Sequence, residues 1–302
     1  MCYWGSALTT GFFVVLSREA PSKWSHQLFV FCTTATCTSW RRVRPTSKVA
    51  LRQPHQLNGV QPHVVFGGDA YFPSLLTQST LGGHMVPILN AIHKDCGGVS
   101  CLGNHDLDGG VPIAEKWISR STFPWLVANF KDKHTDLPIP SNCKEYVIQP
   151  YPLSIDPDFK IGYVGVIESE WTETLGCVDP DDVIFEEQLQ CLERLCPKMR
   201  SEGASIIICV SHQRVPRDRM LCEKAAHLID EVLGGHDHHY EVSEPIGPQG
   251  LHYVKSGTDF RSFTVVDLLI LKIRLTSAAS GRNVGLNLSH QLCSVFPAHF
   301  AI

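Results

Sequence analysis

No aspartate occurs in the first 68 residues, and no Cys-x-x-Cys occurs anywhere in the chain. A basic excess is missing as well. Net charge is −4 over 302 residues, so no positive field exists to hold nucleic acid or an anionic membrane surface. An anionic ligand must therefore be held locally, by a metal or by a few placed donors. No stretch reaches the roughly 18 apolar residues that a membrane span requires. Residues 6–16 (SALTTGFFVVL) have the apolar character of a signal-peptide core, but no Lys or Arg precedes them. A cytoplasmic protein is the expectation, with secretion as the alternative. The twelve cysteines lack zinc spacing: Cys32/Cys37, Cys96/Cys101 and Cys191/Cys196 share only a four-residue gap. Cys209 sits in an apolar run, where a thiol acts as a small hydrophobe, and reduced thiols are expected throughout.

What is present suits a soluble globular chain, with 43% hydrophobic and 19% charged residues and a length that allows one large or two modest domains. Residues 1–60 form an atypical segment, rich in Cys, Thr, Ser and Arg over 33–42. From residue 61 the texture becomes regular: short apolar runs, bounded by glycine, alternate with helix-like segments, the pattern of an α/β domain. The patterning predicts strands over 64–66, 99–102, 161–166, 206–210 and 229–233. It predicts helices over 85–92 and 186–199, the second stopped by Gly203. After residue 275 the chain turns Ser- and Asn-rich and carries no periodicity, so 266–302 reads as an atypical tail. No internal repeat is visible.

Four of the predicted strands end alike. They run into Gly67-Gly68-Asp69, into Gly103-Asn104-His105-Asp106, into Ser211-His212 and into Gly234-Gly235-His236-Asp237-His238. Ligands of α/β sheets bind beyond the carboxyl ends of strands, so these turns are expected to converge on one site. Carboxylate, amide oxygen and imidazole make a mixed O/N donor set suited to Mn, Fe or Zn, and too rich in nitrogen for Ca or Mg. Singly, each motif has a plainer reading. Asp69 alone is a turn residue, His212 a half-buried histidine, and the Gly-His-Asp-His run a polar turn. Together, at four strand ends in this order, they point to a metal centre.

This run resembles the calcineurin-like metallophosphoesterase superfamily. Gly68-Asp69-Ala70-Tyr71-Phe72-Pro73-Ser74, residues 103–110 and Ala128-Asn129 lean toward its 5′-nucleotidase-type branch. The resemblance covers roughly residues 61–265 and implies a four-layer α/β/β/α sandwich with a two-metal site. It also implies a metal-dependent phosphoric ester hydrolase, a phosphomonoesterase of a nucleotide or phosphorylated small metabolite. By the same resemblance Asp69 bridges two metals, Asn104, His212 and His236 complete one, and His238 binds the other. His105 faces the scissile phosphate and Asp106 orients its ring.

The resemblance breaks at both ends. The family opens with a strand ending in Asp-x-His, and no aspartate precedes Asp69 here. One metal position is therefore expected to be nearly complete and the other to keep only Asp69 and His238. The branch's C-terminal substrate domain has no room before Ile302, and both ends read as replaced sequence. A catalytically weak remnant that binds one ion is the alternative function. No residue identifies the substrate, and none bears on oligomeric state.

Overall fold

The computed structural model describes residues 25–31, 63–94, 96–151, 158–171, 175–260, 262–276 and 283–299. Its strands, in chain order, are β1 (Ser25–Phe31), β2 (His63–Phe66), β3 (Gly97–Cys101), β4 (Trp125–Leu126), β5 (Phe130–Asp132), β6 (Tyr146–Pro150) and β7 (Lys160–Ile167). They continue as β8 (Val183–Phe185), β9 (Ile206–His212), β10 (Glu231–Gly234), β11 (Tyr240–Val242), β12 (Tyr253–Ser256), β13 (Ser262–Thr276) and β14 (Asn283–His299). The helices are α1 (Thr77–Thr80), α2 (Met85–Ile92), α3 (Val111–Ile118), α4 (Gln188–Ser201) and α5 (Val215–Lys224).

Two six-stranded sheets form the body, in the orders β14-β13-β1-β2-β3-β4 and β11-β12-β10-β9-β7-β6. A strand buried on both faces reads as a continuous apolar run, its side chains alternating between two cores. On β9, Ile206, Ile208 and Val210 join Val65 and Val99 between the sheets. Ile207 and Cys209 point the other way, onto Leu192, Leu195 and Met199 of α4 and Leu221 of α5. On the far side Val64 and Phe66 pack against Met85 and Leu89 of α2 and Ala114 and Trp117 of α3. Helix, sheet, sheet and helix layers follow in that order, as expected for a four-layer α/β/β/α sandwich.

Differences from the expectations lie at the ends. β1, inside the segment 1–60, lies parallel to β2 in register Phe29↔Val64. β13 runs through residue 265, and β14 pairs antiparallel with it in the stretch where no periodicity was legible. A ladder of backbone hydrogen bonds asks little of the side-chain pattern when a partner strand is adjacent in the chain, so the hairpin leaves a weak signal. Residues 32–62, where an Asp-x-His would precede the Gly-Asp turn, lie outside the described residues.

Candidate metal centre

The carboxyl ends of β2 and β3 in one sheet meet those of β9 and β10 in the other. Asp69 stands at φ 58° and His236 at φ 75°. Such left-handed backbone costs a non-glycine residue about 1–3 kcal/mol and persists where the surroundings over-determine it, typically at functional sites. Gly68, at φ 100°, lets the β2 turn close: a Cβ there would fall 2.5 Å from His212 Nδ1.

His212 is wholly buried, with Nδ1 2.5 Å from Gly67 O. A carbonyl only accepts, so Nδ1 is the donor to Gly67, and Nε2 is the ring nitrogen turned to Asp69 Oδ2, 3.0 Å away. Asn104 Oδ1 and His236 Nδ1 are buried with no hydrogen-bond partner among the described residues. Asn104 is tied to the same place through the next residue, whose backbone N–H donates to Asp69 Oδ1 (2.8 Å). The ligand-type atoms of Asp69, His212 and His236 all lie within 4.8 Å of one another. Each buried acceptor left without a donor costs about 1–3 kcal/mol. An anionic oxygen and two imidazoles gathered in this way fit a divalent cation, and the Asn104 amide oxygen is the further donor the neighbouring turn offers.

Electrostatics favour ligation. Burial alone would push the Asp69 carboxyl up, but the neighbouring His212 and His105 outweigh it and hold it low. Burial, then His212, pushes His236 down to about 4, which keeps its imidazole neutral. The rings of His212 and His236 stand 5.1 Å apart at 76°. Trp171 is buried edge-on against His212 (5.0 Å) and 6.4 Å from His236. Its indole shields both imidazoles from water.

His238 is exposed and stands outside the Asp69–His212–His236 group. Arg214, beside this group, is engaged by two carboxylates, with Nε 3.4 Å from Glu168 Oε1 and Nη1 against Glu170.

The role expected of Asp106 is corrected by its contacts. Its buried carboxylate accepts backbone N–H bonds from Asp69 (2.9 Å), Ala70 (2.7 Å), Tyr71 (3.0 Å) and Gly103 (2.9 Å), binding the β2 turn to the β3 turn. Burial first, then the Asp69 charge, pushes its carboxyl up to about 7 against the pull of those donors. The side chain that holds the His105 ring is Asp108, with Oδ2 2.8 Å from Nδ1. Asn104–Leu107 is a 3₁₀ turn with Asp108 as its C-terminal cap, and side chains three apart eclipse in that geometry. His105 and Asp108 therefore share a face, while Asp106 points inward. The Asp108 carboxylate raises the His105 pKa. Asn129, buried, brackets the end of β7, donating to Ile167 O (2.9 Å) and accepting from Ile167 N–H (3.0 Å).

Similarity to known proteins agrees with this geometry. No family profile matches the chain. It is 27% identical over 186 residues to the 5′-nucleotidase of Bos taurus, covering 60% of this chain and 30% of that protein. It is 26% identical over 176 residues to the 2′,3′-cyclic-nucleotide 2′-phosphodiesterase/3′-nucleotidase of Salmonella typhimurium, covering 52% and 26%. The chain thus spans about a third or less of the length of these curated relatives. Among solved structures, the calcineurin-like phosphoesterase YfkN from Bacillus subtilis superposes with a TM-score of 0.70 at 17% identity, over 91% of this chain and 90% of that one. In fold this chain is like the calcineurin-like phosphoesterase YfkN, and in sequence it is similar to 5′-nucleotidases and to a 2′,3′-cyclic-nucleotide phosphodiesterase/3′-nucleotidase.

Proposed function

We propose that this chain is a metal-dependent phosphoric ester hydrolase acting on a nucleotide or a similar phosphorylated small molecule. The observation that carries the reading is the set of four buried polar side-chain atoms, on Asp69, Asn104, His212 and His236, without a hydrogen-bond partner among the described residues. These residues would hold a divalent cation, with Mn, Fe or Zn suited to the donors. His238 would serve a second ion. When bound, such a cation acts as a Lewis acid toward the phosphoryl oxygens and lowers the pKa of water. His105, held by Asp108, is placed to give a proton to the leaving oxygen. Asp106 holds the two ligand turns together, and Trp171 keeps water from the imidazoles.

The nucleotidase names of the relatives support a nucleotide substrate. They favour a hydrolase over an inert one-ion remnant. We place the activity in residues 61–265. The eight cysteines from Cys96 to Cys222 are free thiols, which supports a cytoplasmic location. No helix among the described residues is long and apolar enough to cross a membrane. The test is metal content of the purified chain, measured beside hydrolysis of nucleoside monophosphates with added Mn²⁺. Bound metal with phosphate release supports the reading; a chain that takes up no metal and releases no phosphate overturns it.

A further inference from the structure

Behind the two histidine loops lies a buried charge that the hydrolytic reading leaves unused. Lys255, on β12, is wholly buried, as is Asp218 in the first turn of α5. The ammonium donates to Gln213 O at 2.7 Å and to Gly235 O at 2.6 Å, and it forms an ion pair with Asp218 Oδ2 at 2.6 Å. Asp218 Oδ1 in turn accepts from Ser211 Oγ (2.5 Å) and Gln213 Nε2 (2.9 Å). Asp237 Oδ2 lies 3.5 Å from the ammonium and accepts the Val215 N–H (2.7 Å) that opens α5.

The residues so gathered are the chain neighbours of the two histidines. Ser211 and Gln213 flank His212, and Gly235 and Asp237 flank His236. The strand register explains how one side chain reaches both loops. β12 lies parallel to β10 with Lys255 opposite Gly234, so the lysine starts level with the end of β10 and its stem extends past it. Gly234 leaves the space: a Cβ there would fall 2.5 Å from Asp218 Oδ2 and 2.9 Å from Lys255 Nζ. The clamp also meets the strained backbone at His236, φ 75°, one residue beyond the Gly235 carbonyl it holds.

We propose that Lys255 is a positioning residue for the metal centre. Anchored by Asp218, its ammonium draws the Gln213 and Gly235 carbonyls to one point and thereby sets the separation of His212 and His236 for a divalent cation. The proposal rests on the reading that these histidines hold metal. Partners that orient metal ligands from behind change affinity by about 10–100-fold when removed. A buried ion pair that serves only packing would instead alter stability, with metal affinity unmoved.

The experiment is a Mn²⁺ titration of the EDTA-treated full chain, paired with the thermal midpoint of the same metal-free protein. Four proteins are compared: wild type, Lys255→Met, Lys255→Met/Asp218→Asn, and Leu195→Ala, which loosens the α4 core away from the loops. Both Lys255 variants are expected to bind Mn²⁺ about 10–100-fold more weakly. The double variant, which removes both charges together, regains midpoint over the single variant but not affinity. Leu195→Ala lowers the midpoint and keeps wild-type affinity. If the double variant folds and binds as tightly as wild type, the positioning role is overturned while the metal reading stands. Affinity that falls with midpoint equally in Leu195→Ala also overturns it. A wild-type chain that binds no Mn²⁺ overturns the metal reading, and this proposal with it.

Discussion

Asp108 Oδ2 lies 2.8 Å from His105 Nδ1, which leaves the other ring nitrogen as the one able to serve a substrate. A general acid matters most for a poor leaving group. His105→Ala is therefore expected to keep wild-type metal content and to slow hydrolysis of an alkyl phosphate by about 10²–10⁴-fold. The loss with 4-nitrophenyl phosphate, whose phenolate leaves unprotonated, is expected to be clearly smaller. Asp108→Ala should show the same substrate dependence at lower amplitude. Equal losses on both substrates would point to electrostatic binding of the phosphoryl oxygens instead.

Asp106→Ala has a different expected outcome, because this carboxylate meets four backbone N–H groups and no imidazole. Donors left unpaired in the interior cost about 1–3 kcal/mol each, so the variant should lose at least ~3 kcal/mol of unfolding free energy. The urea midpoint of metal-free protein reads this directly. A midpoint unchanged from wild type would rule out the bracing role.

Metal removal should destabilise the fold. A ligand that binds only the native state adds about 2.7 kcal/mol at a concentration 100 times its Kd. Saturating Mn²⁺ is thus expected to raise the thermal midpoint of wild type and EDTA to lower it. In Asp69→Ala the two conditions should give the same midpoint, since the variant lacks the one anionic oxygen in the set. A metal-dependent shift that survives in Asp69→Ala would place the ion elsewhere.

Two histidines far from the metal loops set an acid limit. Burial pushes His63 and His93 down to about 4. His63 shares a 2.9 Å hydrogen bond with Tyr163, and His93 stacks at 3.7 Å on Phe123. Between pH 4 and 6.5 the unfolded chain binds more protons than the folded one, so stability rises with pH across that window and falls on acidification. Each histidine contributes about 1.4 kcal/mol per pH unit there. His93→Phe keeps the stacked ring and is expected to flatten the plot of unfolding free energy against pH by one proton's slope. An unaltered slope would mean that His93 is already charged in the fold.

The chain by itself determined the strand-end motifs and the α/β alternation, while the four-layer sandwich followed from the family resemblance. Alternating apolar runs ending in glycine turns are local patterns, and helix α2 falls at 85–92 as its spacing predicts. Asp69, Asn104 and His236 follow buried strands and His212 ends one, a placement that sequence pattern can offer as a candidate site. Tertiary structure alone decided which carboxylate serves His105, since an inward turn at Asp106 and an eclipsed face for Asp108 depend on a 3₁₀ geometry that Asn-His-Asp does not announce. It also decided that Trp171 covers the imidazoles and that Lys255, a lone lysine among ordinary neighbours in sequence, sits at 0% exposure between the ligand loops. Its contacts come from the parallel register of β12 and β10 and from a carbonyl 42 residues away. Burial of a charge is fixed by what other strands bring to it, and no local pattern records that.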